Sequence, residues 1–104
     1  MEGLKVVAKR ERSFRAQLLL AAIALAALAI LRPGALWAAV VTLAISVVLA
    51  LEAVNASLEY LIDLLHPQFA EEIRHAKDAA AGAVLIASAG AAAVGLLMVV
   101  ASAT

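Results

Sequence analysis

There is no cysteine in the chain, so neither a disulfide framework nor a thiolate metal site is possible. Aromatic residues make up only 4% and proline occurs twice. The familiar soluble nucleotide and metalloprotease signatures are missing too. There is no G-x-x-x-x-G-K-[ST], no G-x-G-x-x-G and no H-E-x-x-H. Net charge is zero, and no basic residue follows the last apolar run. What the chain has in excess is apolar surface. It is 66% hydrophobic with a mean hydropathy of +1.05 over 104 residues. A soluble domain of this length lacks the interior to hide so many apolar side chains, so much of that surface must face lipid or other copies of the chain. One domain is the default at this length.

Three apolar runs are long enough to matter. Leu18 to Leu31 is 14 uninterrupted Leu, Ala and Ile residues, roughly 21 Å of helix. That is short for a hydrocarbon core of about 30 Å, but Ala16 and Gln17 extend it, and Arg15 and Arg32 can snorkel outward from its ends. Span one is therefore expected over 17–31. Arg32-Pro33-Gly34 is a breaker and reads as a tight turn. Ala35 to Leu51 is a second run of 17 residues, with Trp37 as an interface anchor. Ala79 to Ala103 is a third, without charge in 25 residues. A cleaved signal peptide is not expected, since three spans follow a charged start and no A-x-A site sits suitably.

Basic residues set the orientation. Lys5, Lys9, Arg10, Arg12 and Arg15 precede the first span, and Arg74 and Lys77 lie between the second and third. Only Arg32 lies between spans one and two. The positive-inside rule puts the N-terminus and the 52–78 segment on the cytoplasmic face. Residues 1–16 are expected to form a basic surface helix with Leu4, Val7 and Phe14 on its apolar side. Within it Glu11 is an acid among bases, for which local charge balancing is the ordinary explanation.

The stretch LEAVNASLEYLID, residues 51–63, is the least ordinary part of the chain. At about 100° per residue, Glu52, Asn55, Glu59 and Asp63 fall within about 80° of arc. Leu58, Leu61, Ile62 and Leu65 take the opposite side. The second span is thus expected to continue as a helix to about residue 65, carrying an acidic strip. A helix leaving a membrane often becomes amphipathic with a solvated polar face, which accounts for Asp63 and His66. Glu52 is different. It follows the apolar run directly, where an ionisable group is costly and marks a functional position by default. Carboxylates one or two turns apart also suit a hard cation such as Mg²⁺, whose other positions are filled by water and phosphate oxygens. On these rules a membrane enzyme and a proton-coupled transporter fit equally well, as a dimer or a trimer.

The residues carry a more specific pattern. E-A-V-N-A-S-L-E-Y-L-I-D, then A-K-D-A-A-A-G-A-V-L-I opening the third span, resembles the prokaryotic diacylglycerol kinase family, which includes undecaprenol kinases. The family pattern is E-x-x-N-[ST]-A-[IL]-E-x-x-x-D followed by A-K-D. Glu11 to Arg15 is similar to its E-x-x-F-R segment. The resemblance covers nearly the whole chain. It implies an all-α integral membrane protein: three transmembrane helices plus an N-terminal amphipathic surface helix, assembled as a homotrimeric bundle in the bacterial cytoplasmic membrane. It implies transfer of the ATP γ-phosphate to a lipid hydroxyl, diacylglycerol to phosphatidic acid before undecaprenol.

By position, the resemblance makes Glu52 the catalytic base and Glu11 and Glu59 the carboxylates for nucleotide-bound Mg²⁺. It puts Asn55, Gln68, Phe69, Ala70, Lys77 and Asp78 at ATP. Ser13, Phe14, Arg15, Ala16, Gln17 and Ala81 would border the lipid with Glu52. The site can be built within one protomer or shared across an interface; the short Pro33-Gly34 turn, which leaves the N-terminal helix free to reach a neighbouring chain, favours a shared site. Three features depart from the family pattern. The N-terminal helix is short, Ala56-Ser57 replaces S/T-A, and Phe69-Ala70 replaces an aromatic-His pair. His66 and His75 read as surface histidines. The small residues of span three, Ala81, Gly82, Ala89, Gly90, Ala91, Ala92, Ala93 and Gly95, allow close helix approach.

Overall fold

The computed structural model covers residues 1–104. It is all-helical: α1 Glu2–Arg10, α2 Arg12–Leu31, α3 Ala35–Leu65 and α4 Glu71–Ala103. Helices α2, α3 and α4 are each long and apolar enough to cross a membrane. They run antiparallel in sequence, with α3 packed mainly against α4 and secondarily against α2. Few residues are buried within one chain. Leu19, Ile23, Ile30, Leu36, Leu43, Leu85, Ile86 and Leu96 all stand exposed, as expected where the solvent is hydrocarbon.

The surface helix expected over 1–16 ends at Arg10, and residues 12–16 belong to the first turns of α2. Glu11 alone breaks the helix, with φ −98° and ψ 110°. Neither glycine nor proline sits there. Val7 on α1 and Phe14 on α2 close over Ala56 on α3. The carbonyls freed at the end of α1 find a donor. Arg15 Nη1 donates to Ala8 O at 3.1 Å and to Lys9 O at 2.6 Å.

The turn at 32–34 is as tight as expected. Arg32 ends α2 in the left-handed region (φ 48°), and Gly34 opens α3 at φ 107°, ψ 167°, a conformation essentially reserved for glycine. At the other end α3 runs without interruption to Leu65, as expected. The third apolar helix starts earlier than the apolar run itself, because Glu71, Glu72 and the Arg74–Asp78 pair support two polar turns ahead of Ala79. At 33 residues, α4 is about 50 Å long and extends well past a hydrocarbon core of about 30 Å. Added Cβ atoms at Gly82, Gly90 and Gly95 would meet nothing within 4 Å. These three glycines therefore do not serve close approach within one chain.

Candidate active site

Three polar side chains from three helices meet at one level. Gln17 on α2 donates through Nε2 to Ser88 Oγ on α4 at 3.2 Å, a partly buried bond across 71 positions. Glu52 on α3 stands near this pair without a hydrogen bond of its own. Glu52 is the one buried charged residue in the chain, 7% exposed. It lies 17 positions into α3 from Ala35, about 25 Å of helix, so with the turn at one edge of a 30 Å core it sits about 5 Å inside the other.

Below this level, towards the 32–34 turn, lies an apolar groove of about 400 Å³ between α2, α3 and α4. Gln17 and Ser88 stand at its polar end, and Ala24, Val41, Val48 and Met98 line its depth. The groove exists because α2 and α4 scarcely touch. Above the level, the stripe continues. Glu11 and Glu59 are the acids that face Glu52, and Asn55 Nδ2 donates to Glu59 Oε1 at 3.4 Å. Asn55 Oδ1 is buried without a partner. At the top, Lys77 Nζ bonds Asp63 Oδ1 at 2.6 Å, bridging α4 and α3. Asp63 is 11 positions past Glu52 and Lys77 is 11 before Ser88. The two antiparallel helices thus keep register, and the ion pair stands about 16 Å above Glu52. Ala81, exposed, falls at the height of Glu59 on the same count.

The Lys77–Asp63 pair borders a second, polar cleft of about 360 Å³ that also includes Gln68, Phe69, Ala70 and Asp78. Every residue expected at ATP beyond the stripe is therefore gathered in one place. Two carry prior engagements. Asp78 is bonded by Arg74 Nη1 at 3.2 Å, and Lys77 is held by Asp63, although its ammonium keeps further donors. Asp63 is exposed, as expected of a solvated face, and it also holds Lys77.

The residues expected at the lipid divide. Gln17 lines the groove, Glu52 follows one turn beyond its Val48 and Leu49, and Ser13 and Ala16 are exposed. Phe14 is buried in the α1–α3 contact at 7% exposure, and Arg15 is occupied with the α1 carbonyls. Ala56, where the family pattern has Ser or Thr, is 3% exposed in that same contact. Ser57 bonds its own helix at Val54 O, 2.8 Å. The elbow at Glu11 rests on α3 of its own chain, through Val7, Phe14 and Ala56. Composition alone did not reveal that contact. Ser88, at the groove mouth, was also unforeseen: a lone serine in an Ala-rich run gives no signal until Gln17 is placed opposite it.

No three His, Cys, Asp or Glu side chains converge closely enough to hold a metal ion on their own. The donor set is two carboxylates with the unpartnered Asn55 Oδ1 nearby. That suits a hard cation arriving with oxygen ligands of its own.

The fold is that of a multi-pass membrane protein, with three helices long and apolar enough to cross a membrane. A family model described as prokaryotic diacylglycerol kinase matches residues 1–99, and the chain belongs to that family. No curated protein and no solved structure matches it significantly.

Proposed function

We propose that the chain transfers the γ-phosphate of ATP to the hydroxyl of a membrane lipid. The observation that carries this reading is the position of Glu52. It is buried, one helical turn beyond Val48 and Leu49 of the apolar groove and at the start of the polar stripe. One substrate then stays in the bilayer with its chains in the groove. The other lies along the stripe, its base and ribose in the cleft of Gln68, Phe69, Ala70, Lys77 and Asp78 and its phosphates over Glu59. Phosphoryl transfer needs mainly positioning and charge neutralisation. Lys77 supplies a cation, and Asn55 orients Glu59. Mg²⁺ held by Glu11 and Glu59 with the nucleotide would neutralise phosphate oxygens.

Glu52 accepts the lipid hydroxyl proton as that oxygen bonds to the γ-phosphorus, while the bond to the β-phosphate oxygen breaks and ADP leaves. Gln17, Ser13, Ala16 and Ala81 border the headgroup; Phe14 and Arg15 support them from behind. The active form is a homotrimer in the bacterial cytoplasmic membrane, with the stripe on the cytoplasmic side, where ATP is available.

Among lipids, diacylglycerol is favoured over undecaprenol by the family's description. An apolar groove discriminates between hydrocarbon chains only weakly. Side-by-side initial rates with the two lipids, at fixed Mg²⁺ and ATP, decide it. Faster phosphorylation of diacylglycerol is expected. A faster rate with undecaprenol reassigns the substrate, and no product from either overturns the reading.

A further inference from the structure

An apolar groove selects poorly among hydrocarbon chains, so a choice of lipid has to come from the polar groups at its end. Gln17 and Ser88 are the only polar side chains that line the groove. They belong to α2 and α4, helices that otherwise scarcely touch, and their 3.2 Å bond ties the two together. Ser46, Ser57 and Ser102 turn their hydroxyls onto carbonyls of their own helices. Ser88 Oγ accepts from Gln17 instead. The bond leaves donors over. A glutamine amide carries two N–H groups and a serine hydroxyl one O–H. With one N–H given to Ser88, the second N–H and the Ser88 O–H remain, and neither has a protein acceptor. Turning the amide over would make Ser88 the donor and leave both amide N–H groups. Two donors therefore stand at the end of a groove whose other walls are apolar. An unmade donor is costly in a hydrocarbon setting. The fitting ligand brings neutral acceptors joined directly to its hydrocarbon chains. The ester carbonyls of a glycerolipid are such acceptors, a few bonds from its free hydroxyl. A polyprenol has the hydroxyl alone.

We infer that the Gln17–Ser88 pair is the specificity-determining element for the lipid: its two spare donors bind the ester carbonyls of a diacylated glycerol. The pair takes no part in the chemistry. The inference rests on the proposed function in seating the lipid chains in the groove, and it adds the feature by which that lipid is chosen.

The test uses the full-length protein in bilayer nanodiscs. It compares diacylglycerol with its dialkyl ether analogue, which keeps the chains and the hydroxyl but lacks both carbonyls. The first arm needs neither nucleotide nor turnover. With diacylglycerol ¹³C-labelled at the ester carbonyls, wild-type protein is expected to lower the frequency of the labelled infrared band, as hydrogen bonding does. The Gln17→Leu, Ser88→Ala double variant is expected to leave the band in place. In the second arm, wild-type kcat/KM should favour the ester over the ether about tenfold, the scale of one to two net hydrogen bonds. Ser88→Ala should cut that preference to about twofold. Ser88→Thr, which keeps the hydroxyl, should retain it. Val94→Ala, also in the groove wall, should lower both lipids alike. Circular dichroism and thermal unfolding establish that each variant is folded. A labelled band that wild-type protein does not move, equal use of ester and ether by the wild type, or an unchanged preference in folded Ser88→Ala overturns the inference. A shifted band without any phosphorylated lipid overturns the kinase reading and leaves the carbonyl site standing.

Discussion

The two ends of the helical bundle are built from the same three helices and answer to opposite demands. At the 32–34 end, α2 and α3 turn within three residues and Arg32 is the only charge. At the other end α3 and α4 continue for several turns past the hydrocarbon, and α1 folds back onto them. The turn end has only to close a hairpin, which backbone conformation achieves. The stripe end must hold acids next to lipid, and it does so through contacts among four helices. Substitutions should therefore be sharply unequal in effect: chemistry is lost at the stripe end, and stability alone at the turn.

Glu52→Gln should have the largest effect. It keeps the shape and removes the proton acceptor. Turnover is expected to fall about 10²-fold or more, with the Michaelis constant for ATP little changed. Next come Glu11→Gln and Glu59→Gln. Each should raise the half-saturating Mg²⁺–ATP concentration about tenfold, or about 1.4 kcal/mol. The double variant should fall short of the product of the two, because the acids face one cluster. If Glu11 and Glu52 act from one chain, oligomers mixed from Glu11→Gln and Glu52→Gln chains should recover no activity, since every site then carries one lesion. Recovery would mean that the elbow reaches a neighbour.

Lys77→Met is expected to have a smaller effect. The Lys77–Asp63 pair is largely solvent-facing, so stability should move by less than about 1 kcal/mol. ATP affinity should drop by about fivefold, the upper end of a solvent-exposed ion pair. At the turn end, Gly34→Ala forces a side chain into a backbone region that costs about 1–3 kcal/mol. It should lower the melting temperature and leave kcat of the folded fraction unchanged. A large loss of kcat there would erase the distinction between the ends.

Much of this was legible in the sequence, for physical reasons that differ by element. The spans were legible because lipid demands unbroken apolar runs. The stripe was legible because helical periodicity alone puts Glu52, Asn55, Glu59 and Asp63 on one face. The start of α4 was hidden because hydropathy marks where a helix turns apolar, not where it begins. The acids Glu71 and Glu72 and the i, i+4 pair Arg74–Asp78 were the signals available. The break at Glu11 had no local signal at all. It lies where Val7, Phe14 and Ala56 meet across three helices, and Ser88 gains meaning only after the Gln17 contact is known.

The most direct test of the central claim, that the stripe end joins a nucleotide to a lipid, is transfer of ³²P from γ-labelled ATP to extractable lipid by purified protein in a Mg²⁺-containing bilayer, with Glu52→Gln alongside. Labelled lipid from the wild-type chain, reduced about 10²-fold in the variant, is the predicted result. No labelled product from either diacylglycerol or undecaprenol with folded protein, or equal labelling by the Glu52→Gln chain, would contradict it.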